Sequence, residues 1–190
     1  MSDSLENLCG IDEAGRGPFA GPLVMAGVLL TNNIDGLNDS KKLTEKKREK
    51  LFDIIKENSI YHIVFIDNST IDKIGLSKSL QNGLIEIMDN IKANNYLFDG
   101  NTTFGIDNLK SLIKADAAIP QVSAASVLAK VSRDRYMVEV SNKYPNYSFE
   151  KHKGYGTKAH KEAILKYGLC DIHRKSFKIK LTNKINILVD

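Results

Sequence analysis

The chain has 190 residues, of which 42% are hydrophobic and 26% charged, with a formal net charge of +4. That length and composition suit one domain with a sizeable core. No apolar run is long enough for a helical membrane span, and the polar start Met1-Ser2-Asp3-Ser4-Leu5-Glu6 is unlike a secretory signal. Charge is unevenly spread: residues 150–190 hold 10 Lys/Arg against 4 Asp/Glu, a net of +6, so the first 149 residues carry −2. An acidic half beside a basic tail fits a metal site next to a grip for a polyanion. A basic tail that only solubilises explains the charge equally well. Cys9 and Cys170 are too few for a disulfide framework, and a reducing cytoplasm is the expected compartment.

In chain order, residues 8–12 read as a first strand and residues 22–30 as a second, the latter too continuously apolar to have a wet face. The short glycine-rich link predicts that the two are antiparallel neighbours. Thr44 is placed to cap a helix reaching Glu57, with Leu51, Phe52, Ile54 and Ile55 on its buried side. Residues 60–66 are rich in β-branched and aromatic side chains and predict a third strand. Leu76, Leu80, Leu84, Ile87 and Ile91 recur at three- and four-residue steps, which predicts an amphipathic helix over 76–92. Residues 96–99 read as a short strand ending on Asp99, and residues 114–120 as a second extended piece with Asp116 near its start. A helix over 123–140 carries small residues (Ala124, Ala125, Ala129) that allow close packing on a sheet. A last helix runs over 157–167, stopped by Gly168. Residues 175–190 carry no clear pattern. Three strands followed by alternating helix and strand predict an α/β fold with a mixed sheet.

Within this frame Asp12, Glu13, Asp99 and Asp116 share a context: each lies at or beside the end of a short apolar segment. A buried carboxylate is costly unless a cation or hydrogen bonds compensate, and several converging carboxylates repel unless cations sit between them. Hard divalent cations take such oxygen ligands. Two ions about 3.5–4 Å apart form the arrangement used for in-line displacement at a phosphodiester. The stretch Asp12-Glu13-Ala14-Gly15-Arg16-Gly17 adds a glycine loop whose backbone can approach a ligand closely, and an arginine able to fork onto a phosphate. Neither a Walker loop nor a dinucleotide fingerprint is present, and the four histidines share no zinc spacing with the cysteines.

Six stretches now stand in one order: Asp12-Glu13-Ala14-Gly15-Arg16-Gly17; Asp39-Ser40-Lys41-Lys42-Leu43; Phe98-Asp99-Gly100; Asp116 followed by residues 124–134; His152-Lys153-Gly154-Tyr155-Gly156-Thr157; and His173-Arg174-Lys175-Ser176-Phe177. Each alone is weak; together they resemble ribonuclease HII, the bacterial-type type 2 ribonuclease H, over almost the whole chain. Ser132 stands where that family usually has threonine, and Ala115 where glycine is common. The resemblance implies a ribonuclease H-like fold: a mixed five-stranded sheet flanked by helices in one catalytic domain, with a basic C-terminal helical region from about residue 141. It implies an endoribonuclease that uses two divalent ions, Mg²⁺ or Mn²⁺. Such an enzyme cleaves the RNA strand of RNA–DNA hybrids and nicks 5′ of single ribonucleotides in duplex DNA, leaving 3′-hydroxyl and 5′-phosphate ends, and so removes misincorporated ribonucleotides and RNA primers. It carries Asp12, Glu13, Asp99 and Asp116 over as metal-binding catalytic acids, and Gly15, Arg16 and Gly17 as the reader of the ribose 2′-hydroxyl and adjacent phosphate. Tyr155 is similar to the family tyrosine that packs on the following sugar. Lys41 and Lys42 are expected on backbone phosphates, with a solvated lysine pair as the competing explanation. His160 and His173 are expected to be structural, and Tyr144, Tyr147 and Phe149 core or rim. A monomer is expected. The HIII type, which usually carries an extra N-terminal domain, is a poorer match because the acidic motif begins at residue 12. A catalytically silent nucleic-acid-binding module is the alternative from outside the enzymes.

Overall fold

The computed structural model describes residues 7–37 and 43–180. Strands β1 (Leu8–Ala14), β2 (Leu23–Leu30) and β3 (Ser59–Ile66) are followed by β4 (Asn95–Asp99) and β5 (Leu109–Leu112). They form one mixed sheet in the order β3-β2-β1-β4-β5. The first three strands pair antiparallel, and β4 and β5 add in parallel to β1.

The helices cover both faces. Helix α1 (Glu45–Glu57) is capped by Thr44, whose side chain accepts from the Lys47 N–H. Helices α2 (Asn68–Ile74) and α3 (Leu76–Asn90) lie on one face, where Leu80, Leu84 and Ile87 meet Cys9, Ile11 and Met25 of β1 and β2. Helix α4 (Pro120–Lys143) and α1 cover the other face, with Ala124, Ala125, Val127, Leu128 and Ala129 against Ala26 and Val28. The small side chains bring α4 close: a Cβ on Gly10 of β1 would overlap the backbone of Gln121 and Val122. Helix α4 is buried on most sides, as expected for a helix inside a core. Two short helical segments, α5 (Phe149–His152) and α6 (Lys158–Tyr167), form a separate C-terminal layer around Phe149, Tyr147, Ile164 and Ile172.

Several expectations need correction. Ile54 is 42% exposed, since only Leu51, Phe52 and Ile55 of its helix point inward. Residues 114–120 are not extended. Lys114 takes a left-handed conformation (φ 61°), Ala115–Ala117 makes a 3-10 turn, and Pro120 opens α4 as its first residue rather than ending a strand. Asp116 therefore comes from a tight turn, not a strand end. Strand β5 and helix α2 were not foreseen: β5 has four residues and α2 buries only Ile71, too little for a periodic signal. Of the stretch without a clear pattern, residues 175–180 are described. There the Lys175 and Ser176 N–H groups donate to Asp72 at 2.9 Å, and Phe177 packs beside Arg174.

Candidate active site

Alternation along β1 points Asp12 toward α4 and Glu13 toward the opposite face. The parallel register pairs Gly10 with Leu97 and Ile11 with Phe98, so Asp12 and Asp99 reach the ends of adjacent strands on the same face. The turn at Ala115–Ala117 then brings Asp116 beneath them. One carboxylate oxygen from each of Asp12, Asp99 and Asp116 lies within 4.8 Å of the others, the acidic cluster found among the described residues. Asp12 and Asp116 are buried, at 7% and 2% exposure. Asp12 accepts from the Glu13 N–H at 2.7 Å and from Ser126. Asp99 accepts from the Lys114 N–H at 2.8 Å, which the left-handed backbone of Lys114 aims at it.

The charges conflict. Burial pushes the Asp12 carboxyl well above the usual range, and the Glu13 charge adds to it. Burial and then Asp116 raise Asp99. Burial lifts Glu13 to about 7 against the opposing pull of Arg16. Glu13 Oε1 meets Arg16 Nη1 at 3.2 Å, while Glu13 Oε2 is buried without a hydrogen-bond partner. An orphaned carboxylate oxygen beside three converging carboxylates, all hard oxygen donors, fits a divalent cation. Glu13 stands just outside the three-aspartate group and completes the acidic wall from the other side of β1.

Asp12, Glu13 and Asp99 line a cleft of about 710 Å³ whose walls carry Gly15, Arg16, Gly17, Arg48, Ile113, Lys130 and Tyr155. The Gly15–Gly17 loop is clamped from behind by the fully buried Arg174, whose Nη2 donates to the Gly15 carbonyl at 2.6 Å, Nη1 to Arg16 at 3.1 Å and Nε to Gly21 at 3.0 Å. Gly15 has φ 93° and no room for a side chain, whereas a Cβ on Gly17 would meet nothing within 4 Å. Arg16 keeps 43% of its side chain exposed at the cleft mouth.

Tyr155 is 41% exposed on the rim rather than in the core. Buried histidines hold its backbone. His160 Nδ1 lies 3.0 Å from the Tyr155 carbonyl oxygen and so carries the proton. Its Nε2 therefore accepts, which assigns the proton between it and His173 Nε2 at 3.1 Å to His173. His173 Nδ1 in turn accepts from the Cys170 N–H at 2.9 Å. The pair is thus neutral, and burial draws both histidines down to about 4. Tyr147 and Phe149 stack in the core at 5.3 Å between ring centroids. Lys41 and Lys42 lie outside the described residues.

Sequence reasoning missed Arg48, Ser126, Lys114 and Lys130 as cleft residues. Lys130 pairs with Asp134 one turn on, at 2.8 Å, a spacing that reads as an ordinary helix-surface pair.

A family model described as Ribonuclease HII matches residues 9–180. The ribonuclease HII of Aliarcobacter butzleri is 64% identical over 178 residues, covering 93% of both chains. That of a Sulfurovum species is 59% identical over 180 residues, covering 95% of this chain and 96% of the relative. The crystal structure of ribonuclease H2 from Pyrococcus horikoshii superposes with a TM-score of 0.75 at 28% identity, covering 90% of this chain and 93% of that one. The chain belongs to the ribonuclease HII family and is an endoribonuclease of the type 2 ribonuclease H class.

Proposed function

We propose that this chain nicks 5′ of single ribonucleotides embedded in duplex DNA and cuts the RNA strand of RNA–DNA hybrids, leaving 3′-hydroxyl and 5′-phosphate ends. The observation that carries the reading is the convergence of Asp12, Asp99 and Asp116, two of them buried, beside a cleft lined by Asp12, Asp99, Arg16 and Tyr155. In this reading Asp12, Glu13, Asp99 and Asp116 hold two divalent ions, Mg²⁺ or Mn²⁺. Those ions, when bound, supply an activated water and charge stabilisation for in-line displacement at the phosphodiester.

The chain's own groups do the positioning. Asp12 is fixed by Ser126 and its own strand, and Asp99 by the Lys114 amide, so the ligands are organised before any ion arrives. The Gly15–Gly17 backbone contacts the ribose 2′-hydroxyl, which is the group that distinguishes RNA from DNA. Gly17 has the open space this requires. Arg16 forks onto the adjacent phosphate, and Tyr155 packs on the deoxyribose that follows. Lys41 and Lys42 contact flanking phosphates. The chain acts as a monomer with one catalytic domain, in the cytoplasm, on misincorporated ribonucleotides and RNA primers. No helix among the described residues is long and apolar enough to cross a membrane.

A divalent-metal titration tests the reading. Cleavage is expected to rise with Mg²⁺ or Mn²⁺ and to vanish in EDTA. Binding that persists in EDTA, with no cutting at any metal concentration, would indicate a silent binding module instead.

A further inference from the structure

Arg133 sits on α4 among small and apolar side chains and is fully buried. Burying a guanidinium is costly unless its donors are used. No carboxylate of the described residues pairs with it; three backbone carbonyls take its donors. Nε donates to Pro22 at 2.9 Å, Nη2 to Ala20 at 3.1 Å and Nη1 to Lys153 at 2.9 Å. The first two acceptors belong to the segment joining the Gly15–Gly17 loop to β2. The third immediately precedes Gly154 and Tyr155. The guanidinium carbon lies 5.5 Å from the centroid of the Tyr155 ring, within cation–π range. On its other side, a Cβ on Gly15 would collide with Arg133 Nε and Cδ.

One planar group thus touches both walls of the cleft mouth. The wall carrying Tyr155 needs such a tether. Lys153, a residue other than glycine, has φ 50°, a backbone conformation that persists only when surrounding contacts hold it. The Phe19 N–H adds one strut, donating to the Gly154 carbonyl at 2.9 Å. An apolar side chain in its place would leave three backbone carbonyls without this partner.

We infer that Arg133 is a positioning residue that fixes the spacing between the Gly15–Gly17 loop and the Tyr155 ring, so that both engage neighbouring nucleotides of one strand at an RNA–DNA junction. The inference rests on the proposed substrate roles of that loop and of Tyr155. It requires the fork: lysine keeps the charge but offers a single point of donation, which cannot span three carbonyls on two segments while facing a ring.

The test compares wild type, Arg133→Lys, Tyr155→Ala and the double variant on two substrates in Mg²⁺: a DNA duplex with one embedded ribonucleotide, and a uniform RNA–DNA hybrid. The readout is the ratio of the two cleavage rates. Arg133→Lys is expected to lower that ratio about fivefold or more, and to change it by less than about twofold when Tyr155 is already alanine, the non-additivity of groups acting through one another. If Tyr155→Ala lowers the ratio and Arg133→Lys does not, the inference is overturned while the reading of Tyr155 stands. An unchanged ratio for Tyr155→Ala overturns that reading and the junction half of the inference. A second measurement then decides the structural half. The chain has no tryptophan, so Tyr155→Trp introduces a single indole emitter. Its quenching by acrylamide is expected to be slower than that of free tryptophan, and to rise when Arg133→Lys is added. Should Arg133→Lys fail to fold, the indole in the otherwise wild-type chain is decisive. Shielding supports a held ring, and quenching as fast as free tryptophan overturns it.

Discussion

At the scale of single residues, the site is a set of carboxylates held in place at the expense of their own comfort. Replacing Asp12 by Asn removes a charged ligand and is expected to abolish cleavage in Mg²⁺. In metal-free buffer the same change relieves repulsion, so the thermal midpoint should rise, by about 2–4 °C for each kcal/mol relieved. Retained activity in Asp12→Asn would remove that residue from the metal site. Tyr155 is expected to behave as a surface for packing. Phenylalanine keeps the ring and should cost little. Alanine should lose on the order of 1–3 kcal/mol, by analogy with stacking losses at nucleic-acid sites. That is roughly a 5- to 150-fold drop in cleavage at a single embedded ribonucleotide. Asp12 and Asp99 stood out in the sequence because each follows an apolar run, although only Asp99 closes its strand and β1 continues two residues past Asp12 to Ala14. Asp116 was legible as an acid beside an apolar segment, although the segment proved to be a 3-10 turn rather than a strand. Arg133 and Arg174 could not be read this way. Their partners are backbone carbonyls, most of them more than a hundred positions distant, and neither spacing nor residue type announces a carbonyl.

At the scale of elements, β1 is organised by how closely α4 lies on it. Gly10 faces the backbone of Gln121 and Val122, which cannot rotate away as a side chain would. Gly10→Ala should therefore destabilise by roughly 1–3 kcal/mol in urea unfolding, the usual cost of overpacking; a loss below about 0.5 kcal/mol, the range of an ordinary surface change, would contradict the close approach. The His160–His173 pair joins α6 to the turn that carries Arg174. Both rings are held down near 4, so as pH falls from about 6.5 the unfolded chain takes up protons that the native chain refuses. Their contribution to stability is present above that pH and is lost progressively toward about 4. In an NMR titration both imidazoles should remain neutral at pH 5.5, and a midpoint near 6.5 for either would break the assigned proton chain. The helix periodicities of α1, α3 and α6 and the first three strands were readable because each spans enough residues to repeat a pattern. Strand β5 and helix α2 were not, because four and seven residues leave no period to detect.

At the scale of the whole molecule, the proposed function assigns metal binding to the acidic cleft and phosphate contacts to residues 150–190, whose net charge is +6. Affinity for hybrid measured in EDTA should fall linearly on a log–log plot against salt with a slope of several units. A flat dependence would contradict a grip built on phosphate contacts. A metal-loaded acidic cluster of the proposed kind cuts only where a ribonucleotide is present, which cleavage of three duplexes measures directly: all DNA, DNA with one ribonucleotide, and RNA–DNA hybrid. The expected result is metal-dependent nicking immediately 5′ of the single ribonucleotide, cleavage within the RNA strand of the hybrid, and an intact all-DNA duplex. Equal cutting of the all-DNA duplex, or cleavage of any of the three in EDTA, would contradict it.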